Sequence, residues 1–198
     1  MHITLYEFPP TRSSRVRWAL NEAGLEFDAK SDRALVGSEE LKKIHPQGKV
    51  PAVVIDGKPL FESAAICTHV ADLVPAKNLI APSGTWERAL HNQWTCFGLT
   101  EMEAYLWSTA RNSFILPEAD RITAVYEQNA ASFSDAADKL DTVLDNSEYP
   151  IGDRFSVTDI IMGFTINWAK SQELLGSFSN LQAYLARLCA REHCPYGE

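Results

Sequence analysis

Along the first eighty residues, short apolar runs alternate with stretches in which apolar residues recur at the spacing of a helix. Residues 3–6 form a β-type run, which the prolines at positions 9 and 10 stop. A helical spacing of apolar residues begins after Ser14, a candidate cap, and ends before Gly24, which suits a C-cap. Residues 25–29 are predicted to form a second strand, and residues 39–44 a short helical piece.

The clearest strand signals lie between residues 51 and 61. Residues 51–55 are predicted to form a strand, Asp56-Gly57 suits a type I′ hairpin turn, and residues 58–61 form the returning strand. Ser63 then stands where a cap precedes a helix carrying apolar residues up to Leu73. The predicted order of elements in this part of the chain is β-α-β-α-β-β-α.

Strand signals nearly vanish after a short linker at residues 81–84. Helical spacing returns over residues 85–107, 118–145 and 181–190. Ser156 and Asp159 form a capping-box-like pair at the start of a further helix, with Phe155 and Ile160 at the positions of a hydrophobic staple. The sequence therefore predicts an α/β domain over residues 1–80 and an all-α domain over residues 85–198.

Composition and charge narrow the classes of protein that fit. Hydrophobic residues make up 45% of the 198 positions and charged residues 22%, which is typical of folded chains. The net charge of −8 and the lack of a basic cluster argue against nucleic acid and anionic membranes as partners. No signal-like start and no membrane-spanning apolar stretch is present, so we expect a cytoplasmic protein.

The four cysteines give no sign of a metal centre. They form no CxxC pair, and no pair of histidines accompanies them at the spacing of a zinc site. We expect reduced thiols and no bound metal.

Three segments resemble motifs of one known family. Residues 45–53, HPQGKVPAV, resemble the segment "NPxGxVPxL" of the glutathione S-transferase superfamily. Residues 61–66, FESAAI, resemble its "xESxAI" motif, and residues 155–159 resemble its N-capping box. The resemblance covers nearly the whole chain and is to cytosolic, bacterial-type members, with the class left open. His45 stands where Asn is common in the family, at a position that mainly shapes the turn.

The resemblance implies a fold, an assembly and a co-substrate. It implies a thioredoxin-like N-terminal domain, an all-helical C-terminal domain and a cis peptide bond before Pro51. It also implies a cytosolic homodimer that uses glutathione as co-substrate.

Glutathione has charged and polar groups that the matching residues suit. A cis bond before Pro51 turns the Val50 backbone outward, where it can pair with the cysteinyl backbone as an added strand does. Ser63 and the N–H groups at the start of its helix suit the γ-glutamyl carboxylate. Glu62 suits the γ-glutamyl ammonium, and Lys49 suits the glycine carboxylate.

Each of these residues also has a purely structural interpretation. Ser63 can serve only as a cap, Glu62 only as a first-turn acid and Lys49 only as a solvated loop charge. Taken together, at the spacing of the family, they favour a glutathione site.

The position that activates the thiol departs from the family. When the chain is aligned on the RVR sequence at residues 15–17, Pro10 occupies the position at which family members usually carry Ser or Cys. Proline has no group that stabilises a thiolate. Thr11 is the nearest hydroxyl and our first choice, with Ser13 as the second. Arg12 can add positive charge near the sulfur.

The resemblance also implies a second substrate, a hydrophobic electrophile, bound between the domains. The candidate lining residues are aromatic: Phe8, Trp94, Phe97 and Tyr105.

Three functions remain open from the sequence. The first is transfer of glutathione to an electrophilic small molecule or glutathione-dependent reduction. The second is a non-catalytic binding or partner protein on the same fold, which Pro10 favours. The third is a glutathione-dependent isomerase acting on a conjugated diacid.

Overall fold

The structure, a computed structural model, describes residues 1–196. They form two compact units. The sheet unit consists of Met1–Arg88 and the segment from Arg191 onward, and the helical unit consists of Ala89–Ala190.

The sheet unit has the element order that the sequence predicts, in a thioredoxin-like arrangement. Its elements are β1 (Ile3–Tyr6), α1 (Ser13–Ala23), β2 (Asp28–Lys30), α2 (Glu39–Lys42), β3 (Ala52–Ile55), β4 (Lys58–Phe61) and α3 (Ser63–Leu73), with 3₁₀ turns at Arg33–Leu35 and Pro75–Lys77. The strand order is β2-β1-β3-β4, with β1 parallel to β2 and the other pairs antiparallel. The expected cis bond before Pro51 is present.

The second strand starts later than its predicted start at residue 25. The amide of Leu25 donates to the carbonyl of Leu20 at 3.1 Å, next to the left-handed Gly24, and so closes the end of α1. Because Leu25 belongs to this helix end, β2 begins only at Asp28.

Apolar clusters hold the sheet unit together. Helices α1 and α3 pack on each other, and Trp18 and Ile66 of these helices are fully buried. Tyr6, predicted as a core residue, is buried in another cluster with Leu41 and Ala52. The side chain of Val50 packs against this second cluster, which holds the chain just before β3 in place.

The segment that follows the last helix returns to the sheet unit. Arg191 forms a two-pronged ion pair with Glu22 of α1 at 2.9 and 2.8 Å. The rings of Tyr196 and Trp18 meet edge to face, 5.7 Å apart.

The remaining elements are helical, as the sequence predicts. They are α4 (Trp86–Phe97), a π-helical stretch (Gly98–Glu103), α5 (Ala104–Ala110), a second π-helical stretch (Arg111–Ile115), a 3₁₀ turn (Glu118–Asp120), α6 (Val125–Leu144), α7 (Val157–Ser171) and α8 (Ser179–Cys189).

Two predicted helix boundaries are wrong. The helix predicted over residues 85–107 continues to Ile115, with two π-helical stretches that periodicity did not indicate. The helix predicted from residue 118 starts at Val125, because Leu116 takes an extended conformation and a 3₁₀ turn follows Pro117.

The capping box of α7 is confirmed. Ser156 Oγ accepts from the Thr158 amide at 3.2 Å, and the Ser156 amide donates to Asp159 Oδ2 at 2.7 Å. The hydroxyl of Tyr184 donates to Asp159 Oδ1 at 2.6 Å. Asp159 is thus buried with its oxygens paired.

Candidate functional site

Strand register brings three loops to one edge of the sheet. Ala52 is paired with Tyr6 of β1 on one side and with Phe61 of β4 on the other. Since both pairings are antiparallel, the chain after Tyr6, the chain before Ala52 and the chain after Phe61 leave the sheet at the same edge. We call this region the loop edge: residues 8–13, 45–51 and 62–63.

The first loop carries two linked hydroxyls. Thr11 Oγ1 and Ser13 Oγ lie 2.9 Å apart, and the Ser13 amide donates to Thr11 Oγ1 at 3.3 Å. The amide of Phe8 donates to Ser13 Oγ at 3.2 Å. Ser13 is fully buried, whereas Thr11 is only half-buried. A ligand at this edge therefore has access to Thr11 and none to Ser13.

The start of α1 differs from its prediction. The helix begins at Ser13, so the expectation that Ser14 caps it is wrong. Arg12 holds the N-cap position with helical dihedral angles, and its own side chain forms no capping hydrogen bond. Pro10, at the usual position of the activating residue, is exposed.

The second loop is a tight turn that ends at the start of β3. The amide of Gly48 donates to the carbonyl of His45 at 2.7 Å, and the amide of Gln47 donates to Nδ1 of the same histidine at 3.1 Å. Gly48 has a φ of 60°, and its carbonyl accepts from the Gly37 amide at 2.7 Å. A Cβ at Gly48 would lie 3.0 Å from the Gly37 Cα, so a larger residue does not fit.

Lys49 and Val50 follow this turn, and both have polar groups without a partner among residues 1–196. Lys49 is exposed and forms no ion pair with any of residues 1–196. The amide and carbonyl of Val50 form no hydrogen bond within the described part of the chain. A backbone donor and acceptor that stay unpaired beside a sheet are suited to an extended peptide.

The third loop leads into α3 without a cap. Glu62, at the N-cap position, has a φ of 71° and a ψ of 113°, and no side chain among residues 1–196 caps the helix. The prediction that Ser63 is the cap is wrong, since Ser63 is already the first helical residue. The exposed Glu62 carboxylate forms no ion pair among residues 1–196. The first amides of α3 are therefore open to an anion.

Arg15 is the residue of this region that sequence reasoning missed. Its Nη1 donates to Ser63 Oγ at 3.3 Å, and both residues are buried. The RVR sequence had served only to align the chain, although a charged residue on the buried face of a predicted helix was a usable signal. Because Ser63 Oγ accepts from Arg15, its own hydroxyl proton is available to a further acceptor.

Cys67, one turn into α3, has no place in the chemistry. Burial raises the pKa of its thiol to about 12, although the nearby Arg15 lowers that pKa in part. A thiol in this state is unreactive at neutral pH.

The aromatic residues predicted for a second substrate belong to both units of the chain. The Phe8 ring lies 5.8 Å from the Arg33 guanidinium in the sheet unit. In the helical unit, the rings of Trp94 and Phe97 meet edge to face at 5.5 Å. Phe97 and Tyr105 both line a groove of about 370 Å³ against α6.

The described residues offer no metal cluster and no membrane span. Among residues 1–196, no three His, Cys, Asp or Glu side chains are grouped as metal ligands would be. No helix in the same part of the chain has both the length and the apolar character needed to cross a bilayer.

Comparison with known proteins gives a consistent result. Residues 1–72 match the family model described as "Glutathione S-transferase, N-terminal domain". Glutathione S-transferase U22 of Arabidopsis thaliana is 30% identical over 182 residues, which is 89% of this chain and 78% of that protein.

Solved structures agree with that match along nearly the full length. A glutathione transferase of Methylococcus capsulatus str. Bath has a TM-score of 0.84 and 29% identity, over 97% of this chain and 95% of that one. A sphingomonad glutathione S-transferase complexed with glutathione has a TM-score of 0.84 and 25% identity, over 96% of this chain and 94% of that one.

Proposed function

This chain belongs to the glutathione S-transferase family and is a glutathione transferase, and on that premise we propose that it binds glutathione along the loop edge and activates its thiol with Thr11. The observation that carries the proposal is the start of α3. There, amides without a side-chain cap, an Arg15-bound Ser63 and the Glu62 carboxylate, which forms no ion pair in the described part of the chain, meet at one point.

The γ-glutamyl end of glutathione binds at this helix start. Its carboxylate accepts from the Ser63 hydroxyl and from the first amides of α3, where the helix dipole also favours a negative charge. Its ammonium pairs with the Glu62 carboxylate. Arg15 is a positioning residue here, because its hydrogen bond to Ser63 Oγ leaves the serine proton directed to the ligand.

The rest of the tripeptide follows the second loop. The cysteinyl backbone pairs with the amide and carbonyl of Val50, beside Pro51, as an added strand does. The glycine carboxylate pairs with Lys49, an exposed contact that contributes modestly and weakens with salt.

Thr11 stabilises the thiolate. Its oxygen already accepts from the Ser13 amide and its hydroxyl neighbours that of Ser13, so Ser13 can donate to Thr11 while Thr11 donates to the sulfur. Ser13, being buried, acts through Thr11 as a positioning residue. Arg12 adds positive charge that lowers the thiol pKa.

In the transfer step, the thiolate attacks an electrophilic carbon. With an aryl halide, a C–S bond forms, and the halide leaves with its bonding electron pair. The thiol proton goes to solvent before the attack. Phe8, Trp94, Phe97 and Tyr105 stay predictions for the residues that contact this hydrophobic second substrate.

We further propose that the chain works as a homodimer in the cytoplasm, as is typical of the family. Sedimentation velocity at micromolar concentration tests the dimer directly. A monomer at that concentration contradicts it.

Ser63→Ala tests the binding site. Calorimetric titration with glutathione should give a Kd at least about tenfold higher than in the wild type, since a hydrogen bond to a charged group contributes about 1.5–3 kcal/mol. Ser83→Ala, an exposed serine of the linker, is the matched control and should bind as the wild type does. Unchanged affinity in Ser63→Ala would overturn the site, and no binding by the wild type at millimolar glutathione would overturn the whole proposal.

Thr11→Ala tests the activating residue. Turnover of an aryl halide should fall about tenfold or more in kcat/KM, while glutathione affinity changes little, because the hydroxyl acts on the thiolate. Thr11→Ser should restore most of the activity, and Thr123→Ala, at an exposed threonine, is the control. Full turnover in Thr11→Ala would show that another group activates the sulfur.

A further inference from the structure

His45 is held in a single orientation at the turn before Lys49. Only 6% of its surface is exposed, and its ring lies 4.9 Å from the Phe61 ring of β4, centroid to centroid. Nδ1 accepts from the Gln47 amide at 3.1 Å, while the His45 carbonyl accepts from the Gly48 amide at 2.7 Å. The imidazole thus ties the turn together as an Asn side chain does in an Asx turn.

This tie exists only for the neutral imidazole. An Nδ1 that accepts a hydrogen bond carries no proton, so the ring proton is on Nε2. A second proton would have to go to Nδ1, where it faces the Gln47 N–H. Two donors then oppose each other, and the hydrogen bond is lost.

The turn has little freedom to absorb this change. Gly48 is fixed by its left-handed φ, by the Gly37 amide and by close packing on the Gly37 backbone. The next two residues are Lys49 and Val50, which contact the glycine carboxylate and the cysteinyl backbone in the proposed site. Movement of the turn therefore moves both of these contacts.

We propose that His45 is a positioning residue for glutathione. Protonation of the His45 imidazole loosens the turn and weakens glutathione binding. This inference rests on the proposed glutathione site. It adds a dependence of glutathione affinity on pH that comes from the protein and is separate from the titration of the glutathione thiol.

The charges around His45 set the direction of the effect. Burial lowers the pKa of His45, Glu62 at the end of β4 raises that pKa, and Lys49 in the loop lowers it. The net pKa lies below the ordinary value, so the imidazole is neutral at physiological pH. Glutathione binds with full affinity at pH values above the ordinary pKa of histidine. The affinity falls as the pH drops through the lowered pKa of His45. By linkage, bound glutathione lowers the His45 pKa further.

Calorimetric titration with S-methylglutathione tests the inference without interference from the thiol. Wild type, His45→Asn and His45→Ala are titrated at several values between about pH 8 and pH 5. His69→Asn, which changes an exposed histidine of α3, is the matched control. Circular dichroism at each pH checks that every variant is folded.

The variants should separate the hydrogen bond from the charge. His45→Asn should bind as the wild type does at high pH, because the side-chain amide oxygen also accepts from the Gln47 amide. As the pH falls, the Kd of the wild type should rise about fivefold relative to the Kd of His45→Asn. His45→Ala should bind about fivefold more weakly at high pH, and His69→Asn should follow the wild type throughout.

Two outcomes overturn the inference in different ways. Superimposable pH profiles of wild type and His45→Asn, or unchanged affinity in His45→Ala, would remove His45 from glutathione binding and leave the site intact. No binding by the wild type at high pH would overturn the glutathione site itself. If His45→Ala is unfolded, the comparison of His45→Asn with the wild type still decides.

Discussion

Helix α3 begins at Ser63 and helix α7 begins directly after Ser156, but the two serines have different roles. At α7, Ser156 caps the helix, and Asp159 accepts from the Ser156 amide and from Tyr184. At α3, Ser63 lies inside the first turn, accepts from Arg15 and leaves the first amides without a cap. One helix start satisfies its own polar groups, and the other leaves them for a ligand.

The difference has a physical basis in what each start contributes. Buried polar groups that are fully paired stabilise a fold, because any unpaired one would cost its desolvation free energy. Uncapped amides and the left-handed Glu62 reduce stability, and backbone strain of this kind is common at functional sites. We expect changes at α7 to affect folding and changes at α3 to affect glutathione affinity.

Asp159→Ala should have the largest effect on stability. It leaves the Tyr184 hydroxyl and the Ser156 amide without their acceptor, so urea denaturation should show a loss of about 3 kcal/mol in the free energy of unfolding. Asp138→Ala, at an exposed aspartate of α6, should change it by less than about 0.5 kcal/mol. A loss of less than about 1 kcal/mol in Asp159→Ala would mean that the capping box is not a stability element.

Glu62→Gly should separate stability from binding at α3. Glycine adopts a positive φ without strain, so the free energy of unfolding should rise by about 1 kcal/mol, after allowance for the greater entropy of the unfolded glycine chain. The Kd for glutathione should rise about tenfold, because the partner of the ammonium is lost.

Glu62→Ala is the control for that experiment, since it removes the carboxylate and keeps the strain. It should bind as weakly as Glu62→Gly without the gain in stability. If neither variant loses affinity, Glu62 is not the partner of the ammonium.

The pH dependence of stability at α7 should be the smallest of these effects. Burial raises the pKa of Asp159 to about 6, so the folded chain binds a proton at this carboxyl more tightly than the unfolded chain does. Its stabilising contribution is present at low pH and is lost as the pH rises through that pKa. Relative to Asp159→Asn, the wild type should therefore gain about 1 kcal/mol between about pH 7.5 and pH 5.

Urea denaturation of both proteins at the two pH values measures this gain. Asp138→Asn controls for general charge effects. A wild type that loses stability relative to Asp159→Asn on acidification would reverse the predicted sign.

The two serines also show how far sequence reasoning reached. Both were predicted to cap a helix, and only Ser156 does so. Three residues after Ser156 stands Asp159, which can return a hydrogen bond to the cap, whereas Ile66 stands three residues after Ser63. The missing acid was a readable signal that Ser63 does not form a capping box.

Other features were outside the reach of local patterns. The π-helical stretches of the long helix at residues 86–115 have no periodicity that differs clearly from an α-helix over a few residues. Arg15 carried a local signal, a charge on the buried face of a predicted helix, but only the packing of α1 on α3 gives it Ser63 as a partner.

The sequence by itself determined the element order, the hairpin at Asp56-Gly57, the capping box of α7 and the family. These follow from spacing and turn chemistry among residues close together in the chain. Tertiary structure alone decided that the loops after Tyr6, before Ala52 and after Phe61 share one edge, because strand register joins residues far apart in sequence. It also decided which polar groups stay unpaired there, since pairing depends on neighbours that only packing supplies.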